Sequence, residues 1–310
     1  MQVARIGIDE SVEVVFPPEQ IRDELADLDV AVEVIDGSSD SLERCDAVVT
    51  FVYREDYLDA VDWIHTIQAG VDRFPLDELE RAGVVLTNST GIHGPAIGES
   101  VACYMLLFGR RFHRAIANQQ QHEWQQPGWD ETFTIAGESL CVVGLGTLGQ
   151  GIVDRASALG LEITGVRRSG DPIEGVKRVY SPDELHTALS DARFVAIAVP
   201  LNEHTRHLIG PEEFEAMRDD AVIMNVARGP VIDETALIDA MRDGAIAGAA
   251  LDVFDEEPLA ADSPLWDMDE VIVTPHQAGF TIDYNRLVAD LVRRNVEALA
   301  AGEDWVNRVV

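Results

Sequence analysis

Gly144, Leu145, Gly146, Thr147, Leu148 and Gly149 follow the apolar run Cys141 to Val143 and open a helical pattern, LGQGIVDRASALG, whose apolar residues Leu148, Ile152, Val153 and Ala156 share one face. At a strand-to-helix joint the first glycine permits a tight turn, the second lets backbone approach a pyrophosphate and the third lets the helix pack on the sheet. The helix start adds amide donors and the positive end of its dipole. The chemistry indicated is dinucleotide binding, and the place between strand and helix raises the pattern above an ordinary βα turn. The next strand, LEITGV at 161 to 166, would be followed by an acid if it met the ribose hydroxyls of NAD. Arg167, Arg168 and Ser169 stand there instead. Two guanidiniums and a hydroxyl suit a 2′-phosphate, which Arg holds through paired hydrogen bonds, so the sequence predicts NADP(H) in preference to NAD(H), with NAD(H) a possible second cofactor.

Rival chemistries find less support. Gly170 and Gly175 have Walker-like spacing, but Val176 precedes Lys177 and no Ser or Thr follows, and neither HExxH nor GxSxG occurs. Cys45, Cys103 and Cys141 are an odd number without CxxC spacing, in or beside apolar runs, which predicts buried thiols in a reducing compartment and not a disulfide frame or zinc site. His65, His93, His113, His122 and His186 have no partners at ligand spacing, so they are assigned no chemistry and no metal is expected.

The charge balance narrows the partners. Acids number 56 against 23 basic residues, a formal net charge of -33, and Lys177 is the lone lysine. A chain this acidic repels nucleic acid and anionic membrane surfaces. With 46% hydrophobic residues the acids must coat a conventional globule. Acidity with almost no lysine resembles proteins of salt-accumulating haloarchaea. The segment MQVARIGIDE lacks the apolar core of a leader, and the longest apolar helical run, Val101 to Phe108, is too short to span a bilayer, so a cytoplasmic protein is expected.

The elements that must position these residues read as α/β. Apolar, β-branched runs at 31 to 35, 47 to 52, 63 to 67 and 84 to 87 form one series, and runs at 139 to 146, 161 to 166, 194 to 199, 221 to 227, 247 to 254 and 271 to 276 form another. Such runs alternating with helical patterns predict buried parallel strands in two doubly wound domains, the second opened by the glycine turn. Ser181, Pro182 and Glu184 predict a capping box, and the pattern after Asp233 ends on Gly244. One long helix is expected from Pro95 to Arg114, and another from Thr281 to Ala300 that returns to the first domain. That division makes 1–94 plus 281–310 a discontinuous domain and 95–280 the dinucleotide-binding one.

Three further segments carry charge next to apolar strands: NVARGP with Arg228, ALDVFDEEP with Asp252 and Glu257, and TPHQAG with His276. In order with GLGTLG, IQAGVD at 67 to 72 and TNSTGIHGPAIGES at 87 to 100, they resemble the D-2-hydroxyacid dehydrogenase family, which includes glyoxylate/hydroxypyruvate reductases and phosphoglycerate dehydrogenase. The resemblance implies a flavodoxin-like substrate domain and a Rossmann NAD(P)-binding domain with a cleft between them. It implies His276 as general acid/base, Glu257 as its carboxylate partner and Arg228 as the clamp on the substrate's carboxylate and carbonyl oxygen. Asp252 would sit near the nicotinamide carboxamide, and Pro200, Thr205, Val226, Ala227 and Ala278 would line the cofactor with the glycine turn. Ala69, Gly70 and Val71 would offer amides to the substrate carboxylate, with Tyr53 and Arg54 in a loop within reach of its side chain.

Elementary chemistry agrees with those roles. Reducing a 2-oxo acid needs a hydride and a proton; an imidazole suits proton transfer near neutrality, a nearby carboxylate favours imidazolium, and a guanidinium stabilises oxyanion charge. The expected activity is an NADP-preferring dehydrogenase acting mainly as a reductase of a small 2-oxo acid to its D-2-hydroxy acid. An NAD-linked glycerate or phosphoglycerate dehydrogenase is the alternative, as is a non-catalytic dinucleotide-sensing protein of the same fold. Formate dehydrogenases pair their histidine with Gln, against which Glu257 argues. The helix from Pro95 and the stretch NQQQHEWQQPGW, with Trp124 and Trp129, resemble the family's dimer-forming part, so a homodimer is expected.

Overall fold

Strands that are apolar on both faces must be covered by helices on both sides, and this chain builds two such sheets. The structure, a computed structural model, describes residues 3–310. Met1 and Gln2, the first residues of MQVARIGIDE, lie outside the described residues. The chain divides into two compact units, Met1–Ile92 with Phe280–Val310, and His93–Gly279.

In the first unit β1 (Arg5–Asp9), β2 (Ala31–Ile35), β3 (Ala47–Thr50), β4 (Trp63–Thr66) and β5 (Val85–Asn88) form a parallel sheet of order β2-β1-β3-β4-β5. One face is covered by the helix Tyr284–Ala301, whose Tyr284, Val288, Ala289 and Val292 join Ile6, Ile8, Val49 and Trp63 in one core. The Tyr284 hydroxyl donates to the Ile67 carbonyl at 2.6 Å, tying the last helix to the end of β4.

In the second unit β6 (Ser139–Val143), β7 (Glu162–Val166), β8 (Arg178–Tyr180), β9 (Phe194–Ile197), β10 (Val222–Asn225), β11 (Gly248–Leu251) and β12 (Val271–Val273) form a seven-stranded parallel sheet of order β12-β11-β10-β9-β6-β7-β8. The strand order reverses between β6 and β9, the place where open α/β sheets bind ligands beyond their strand ends. Both sheets are doubly wound, as the alternating patterns predict. The predicted capping box at Ser181 is present, and the helix Glu234–Asp243 starts at Asp233 and stops at Gly244, φ 68°.

Two expectations are corrected. The helix expected from Pro95 to Arg114 breaks into Gly94–Gly109 and Phe112–Gln120, with Arg111 left-handed between them at φ 52°. The cause is tertiary. Glu270, just before β12, draws the elbow in: Arg111 Nη1 and His113 Nε2 lie 2.7 and 3.1 Å from its Oε2, and Arg114 stands against its other oxygen. Burial pushes the Glu270 carboxyl up, but the His113 hydrogen bond and the two arginines outweigh it and hold the group below the usual range. Cys45 and Cys141 are buried as expected, whereas Cys103 is exposed. An apolar run wound into a helix buries one stripe, here Val101, Tyr104, Met105 and Phe108, and Cys103 falls outside it.

Among the described residues no helix is long and apolar enough to cross a membrane. His65, in the middle of β4, is fully buried, with Nδ1 2.8 Å from Thr87 Oγ1 and Nε2 3.1 Å from Ser89 Oγ. Burial pushes its pKa down to about 3, so the native state keeps it neutral while an unfolded chain takes up a proton near pH 6.5. The stability this contributes is complete above pH 6.5 and is lost as pH falls toward 3. Urea unfolding between pH 6.5 and 4 should lose up to about 1.4 kcal/mol per pH unit more in the wild type than in His65→Gln. Parallel slopes would mean that native His65 is accessible to protons.

Candidate active site

Because the second sheet is parallel, every strand delivers its C-terminus to the same edge. Gly144 leaves β6 at φ 101° and so close to β9 that a Cβ there would lie 2.5 Å from the Ala198 carbonyl oxygen. A Cβ at Gly149 would fall on the Gly144 carbonyl, so the turn needs both glycines to close. Gly146 differs, since a Cβ there would meet nothing within 4 Å. The amides of Gly146, Thr147 and Leu148, at the start of the helix Thr147–Ala158, donate to no acceptor among the described residues. Open space over a turn with free amides at a helix start is what a pyrophosphate requires.

Arg167, Arg168 and Ser169 follow β7 next along the edge. The Arg167 amide is anchored to the Tyr180 carbonyl at 3.1 Å. Neither guanidinium makes an ion pair among the described residues, whereas most other cations of the chain do, including Arg5, Arg155, Lys177, Arg193 and Arg218. A turn with open amides beside two uncommitted arginines suits the anionic groups of a dinucleotide.

On the other side of β6, Thr205 and Pro200 shape the loop after β9: the Thr205 hydroxyl donates to the Pro200 carbonyl at 2.6 Å and accepts from the Asn202 amide at 2.8 Å. His204 and His207 are exposed in this loop. After β10, the side chain of the buried Asn225 accepts from the Ala227 amide at 3.1 Å and donates to the Arg228 carbonyl at 3.0 Å, which fixes the turn presenting Arg228. Arg228 Nη1 donates back to the Ala227 carbonyl at 2.9 Å. The side chains of Val226, Ala227 and Ala278 are buried in the unit's core, so to a ligand they can offer backbone only.

Asp252 follows β11 and is 2% exposed. Its Oδ1 accepts from the Thr274 hydroxyl at 2.6 Å and the Gln277 amide at 3.0 Å, its Oδ2 from the Ala278 amide at 2.9 Å, and its carbonyl from the His276 amide at 2.8 Å. The whole turn from Thr274 to Ala278 is strung on this residue. His276 can therefore be held at φ 50°, a left-handed conformation that costs a non-glycine residue on the order of 1–3 kcal/mol.

His276 Nδ1 lies 2.8 Å from Glu257 Oε2, and Glu257 Oε1 accepts from the Phe254 amide at 3.2 Å. With Glu257 as the carboxylate, Nδ1 is the donor, and Nε2 makes no bond among the described residues. The side chains are 38% and 25% exposed, so the pair borders open space, not core. The edge thus brings together an imidazole, a carboxylate bonded to it, a guanidinium and an open glycine turn.

In the first unit the amides of Ala69, Gly70 and Val71 donate to no acceptor among the described residues, while Asn88 Nδ2 holds the Ala69 carbonyl at 2.7 Å. Tyr53 and Arg54 are less available. The Tyr53 ring packs edge-on against Phe74 and Tyr57, centroids 5.9 and 6.4 Å apart, and Arg54 is held by both oxygens of Asp56 at 3.1 and 2.6 Å. Asn225, inside NVARGP, gives no signal of its own in the sequence, because its bonds are to backbone. Among the described residues no group of three or more His, Cys, Asp or Glu could hold a metal ion.

Residues 102–278 match the family model for the NAD binding domain of D-isomer specific 2-hydroxyacid dehydrogenases. A glyoxylate reductase of Thermofilum pendens is 35% identical over 246 residues, covering 77% of this chain and 72% of that protein. A D-isomer specific 2-hydroxyacid dehydrogenase family protein from Aeromonas salmonicida has a similar crystal structure, with a TM-score of 0.87 at 28% identity over 100% of this chain and 99% of the other. An NADPH-dependent glyoxylate/hydroxypyruvate reductase from Sinorhizobium meliloti, solved with NADP and sulfate, reaches a TM-score of 0.84 at 25% identity over 99% and 98% of the two chains.

Proposed function

This chain belongs to the D-isomer specific 2-hydroxyacid dehydrogenase family of oxidoreductases, and from that premise we propose that it is an NADP-preferring reductase of small 2-oxo acids, forming the D-2-hydroxy acid. The observation that carries this reading is the His276–Glu257 pair at 2.8 Å on the strand-end edge that also holds the glycine turn and Arg228. The bound nicotinamide supplies the hydride. His276 gives its proton from Nε2 to the developing alkoxide, and Glu257, holding Nδ1, keeps the ring oriented and offsets the charge of the imidazolium. Arg228 clamps the substrate carboxylate and takes up oxyanion charge, which an uncharged donor would do less well. We assign the second unit to the dinucleotide and the first to substrate, with the amides of Ala69, Gly70 and Val71 as its carboxylate donors.

Loss of absorbance of reduced nicotinamide with a panel of 2-oxo acids tests the activity. His276→Ala should lower kcat by about 10²–10⁴-fold while still binding the cofactor. No turnover by the wild type with any acid, with nicotinamide binding retained, would make the protein a dinucleotide-binding protein instead.

The cofactor preference rests on Arg167, Arg168 and Ser169, and the NADP held by the Sinorhizobium relative supports it. Arg167→Asp should shift the ratio of kcat/KM for NADPH over NADH by about tenfold to a hundredfold toward NADH, the worth of a hydrogen bond to a charged group. An unchanged ratio would place the 2′-phosphate elsewhere or remove it.

We further propose that the protein is a homodimer adapted to a saline, reducing cytoplasm. Between Ser100 and Trp129 the only acid is Glu123, in a chain where 56 of 310 residues are acidic. The same stretch exposes Phe112, Ile116, Trp124 and Trp129, the two tryptophans at 96% and 93%. Where the rest of the surface is coated with carboxylates, a segment that omits them and exposes aromatics is suited to cover by a second copy. Light scattering and circular dichroism over a KCl series should give the mass of a dimer and full structure only at molar salt. A monomeric mass in concentrated KCl would remove the dimer, and full stability in dilute buffer would remove the saline adaptation.

A further inference from the structure

The Arg228 turn and the Glu257 turn meet at one peptide. Gly229, the buried residue after Arg228, lies so close to the peptide joining Phe254 to Asp255 that a Cβ at Gly229 would fall on the Phe254 carbonyl group and the Asp255 nitrogen. The amides at the two ends of this segment go to different carboxylates. The Phe254 amide donates to Glu257 Oε1 at 3.2 Å, and the Asp255 amide donates to Glu234 Oε2 at 3.5 Å. Glu234 is the first residue of the helix Glu234–Asp243, beside Asp233, which accepts from the Ala236 amide and starts that helix. The peptide is therefore pressed from one side by the backbone of Gly229 and held from another by a carboxylate on a rigid helix. Its third neighbour is the carboxylate that orients His276.

Asp255, Asp233, Arg206 and His207 are the other charged or titratable groups acting on this place. Burial pushes the carboxyls of Glu234 and Asp255 above the usual range, and of the two it is Glu234 whose carboxylate accepts from a backbone amide. None of the roles assigned above uses Gly229 or Glu234.

Resting on the reading of His276 and Glu257 as the proton-handling pair, we propose that Gly229 and Glu234 are positioning residues for the reaction. Together they set the Phe254–Asp255 peptide, which sets the Glu257 carboxylate against His276 Nδ1 and fixes the spacing of that pair from Arg228. The device needs a residue with no side chain at 229 and an acceptor at 234. A methyl at 229 separates the two turns, and an apolar side chain at 234 leaves the Asp255 amide unheld, so the Glu257 turn drifts.

Misplacing catalytic groups by about 1 Å can cost about a hundredfold in rate, and Gly229→Ala should lower kcat by about that factor with KM for the nicotinamide unchanged. Because that variant can also fail to fold, Glu234 supplies an independent test: Glu234→Leu removes the acceptor and Glu234→Gln keeps one. The readouts are kcat on the best 2-oxo acid and the ring-carbon chemical shifts of His276 in histidine-labelled protein, which report whether Nδ1 carries the proton. Glu234→Leu should lose about tenfold or more in kcat and move the His276 signals toward those of Glu257→Gln, and Glu234→Gln should restore both. Wild-type kcat and wild-type ring signals in Glu234→Leu would overturn the proposal. If the wild type turns over no 2-oxo acid while Glu234→Leu still moves the His276 signals, the enzymatic reading fails and the positioning role stands.

Discussion

The strand-end edge of the second sheet depends on one buried carboxylate. Asp252 takes three donors onto its side chain and a fourth onto its carbonyl, all from the five residues that carry His276. A lone buried carboxylate is costly; one that satisfies three donors repays its desolvation and leaves the loop a single arrangement. The constraint passes along the edge. With the turn fixed, His276 is held left-handed, its Nδ1 meets Glu257, and Glu257 closes back onto the Phe254 amide. Asp252 is itself placed by the ladder, since its amide donates to the Asn225 carbonyl at 3.0 Å. Asn225 in turn ties the Arg228 turn, so β10, β11 and β12 present one connected constellation and not three separate loops.

The physical divide between the two ends of the edge is charge. At β7 the structure leaves two arginines uncommitted beside open amides, a place suited to anions. Beyond β10 it gathers carboxylates: Asp252 and Glu257, both bound to backbone amides, and Asp255, in the field of His207 and Arg206. In a chain of net charge -33 that separation takes sequence resources: most cations are spent pairing locally with acids, and those left unpaired stand out. The same economy marks the elbow at Glu270, where Arg111, His113 and Arg114 converge on one carboxylate and turn what reads as a single helix into two.

Much of the fold was legible because parallel strands announce themselves as apolar runs. Those at 194 to 197 and 222 to 225 lie wholly within runs marked in the sequence. β1 and β8 carry no such run. RIGID carries a glycine and charged ends, and RVY is three residues long, so neither shows a periodicity; both exist because the neighbouring strands offer them ladders. Of the site, the glycine turn, the arginines after β7 and the motifs carrying Arg228, Glu257 and His276 were readable, since each is a residue type in a local context. What Asp252 holds was not, because its partners are backbone amides, and every residue has those.

The amino-acid sequence by itself determined the class of fold, the glycine turn and the identity of the groups able to move a proton or hold an anion, because these follow from side-chain chemistry and short-range spacing. Only the tertiary structure decided which groups touch. The 2.8 Å between His276 and Glu257 spans 19 positions of chain, and the close approach of Gly229 to Phe254 joins the turns after two neighbouring strands, β10 and β11. Such contacts are set by sheet order and by how near two backbones can come, and neither quantity is written in any single segment.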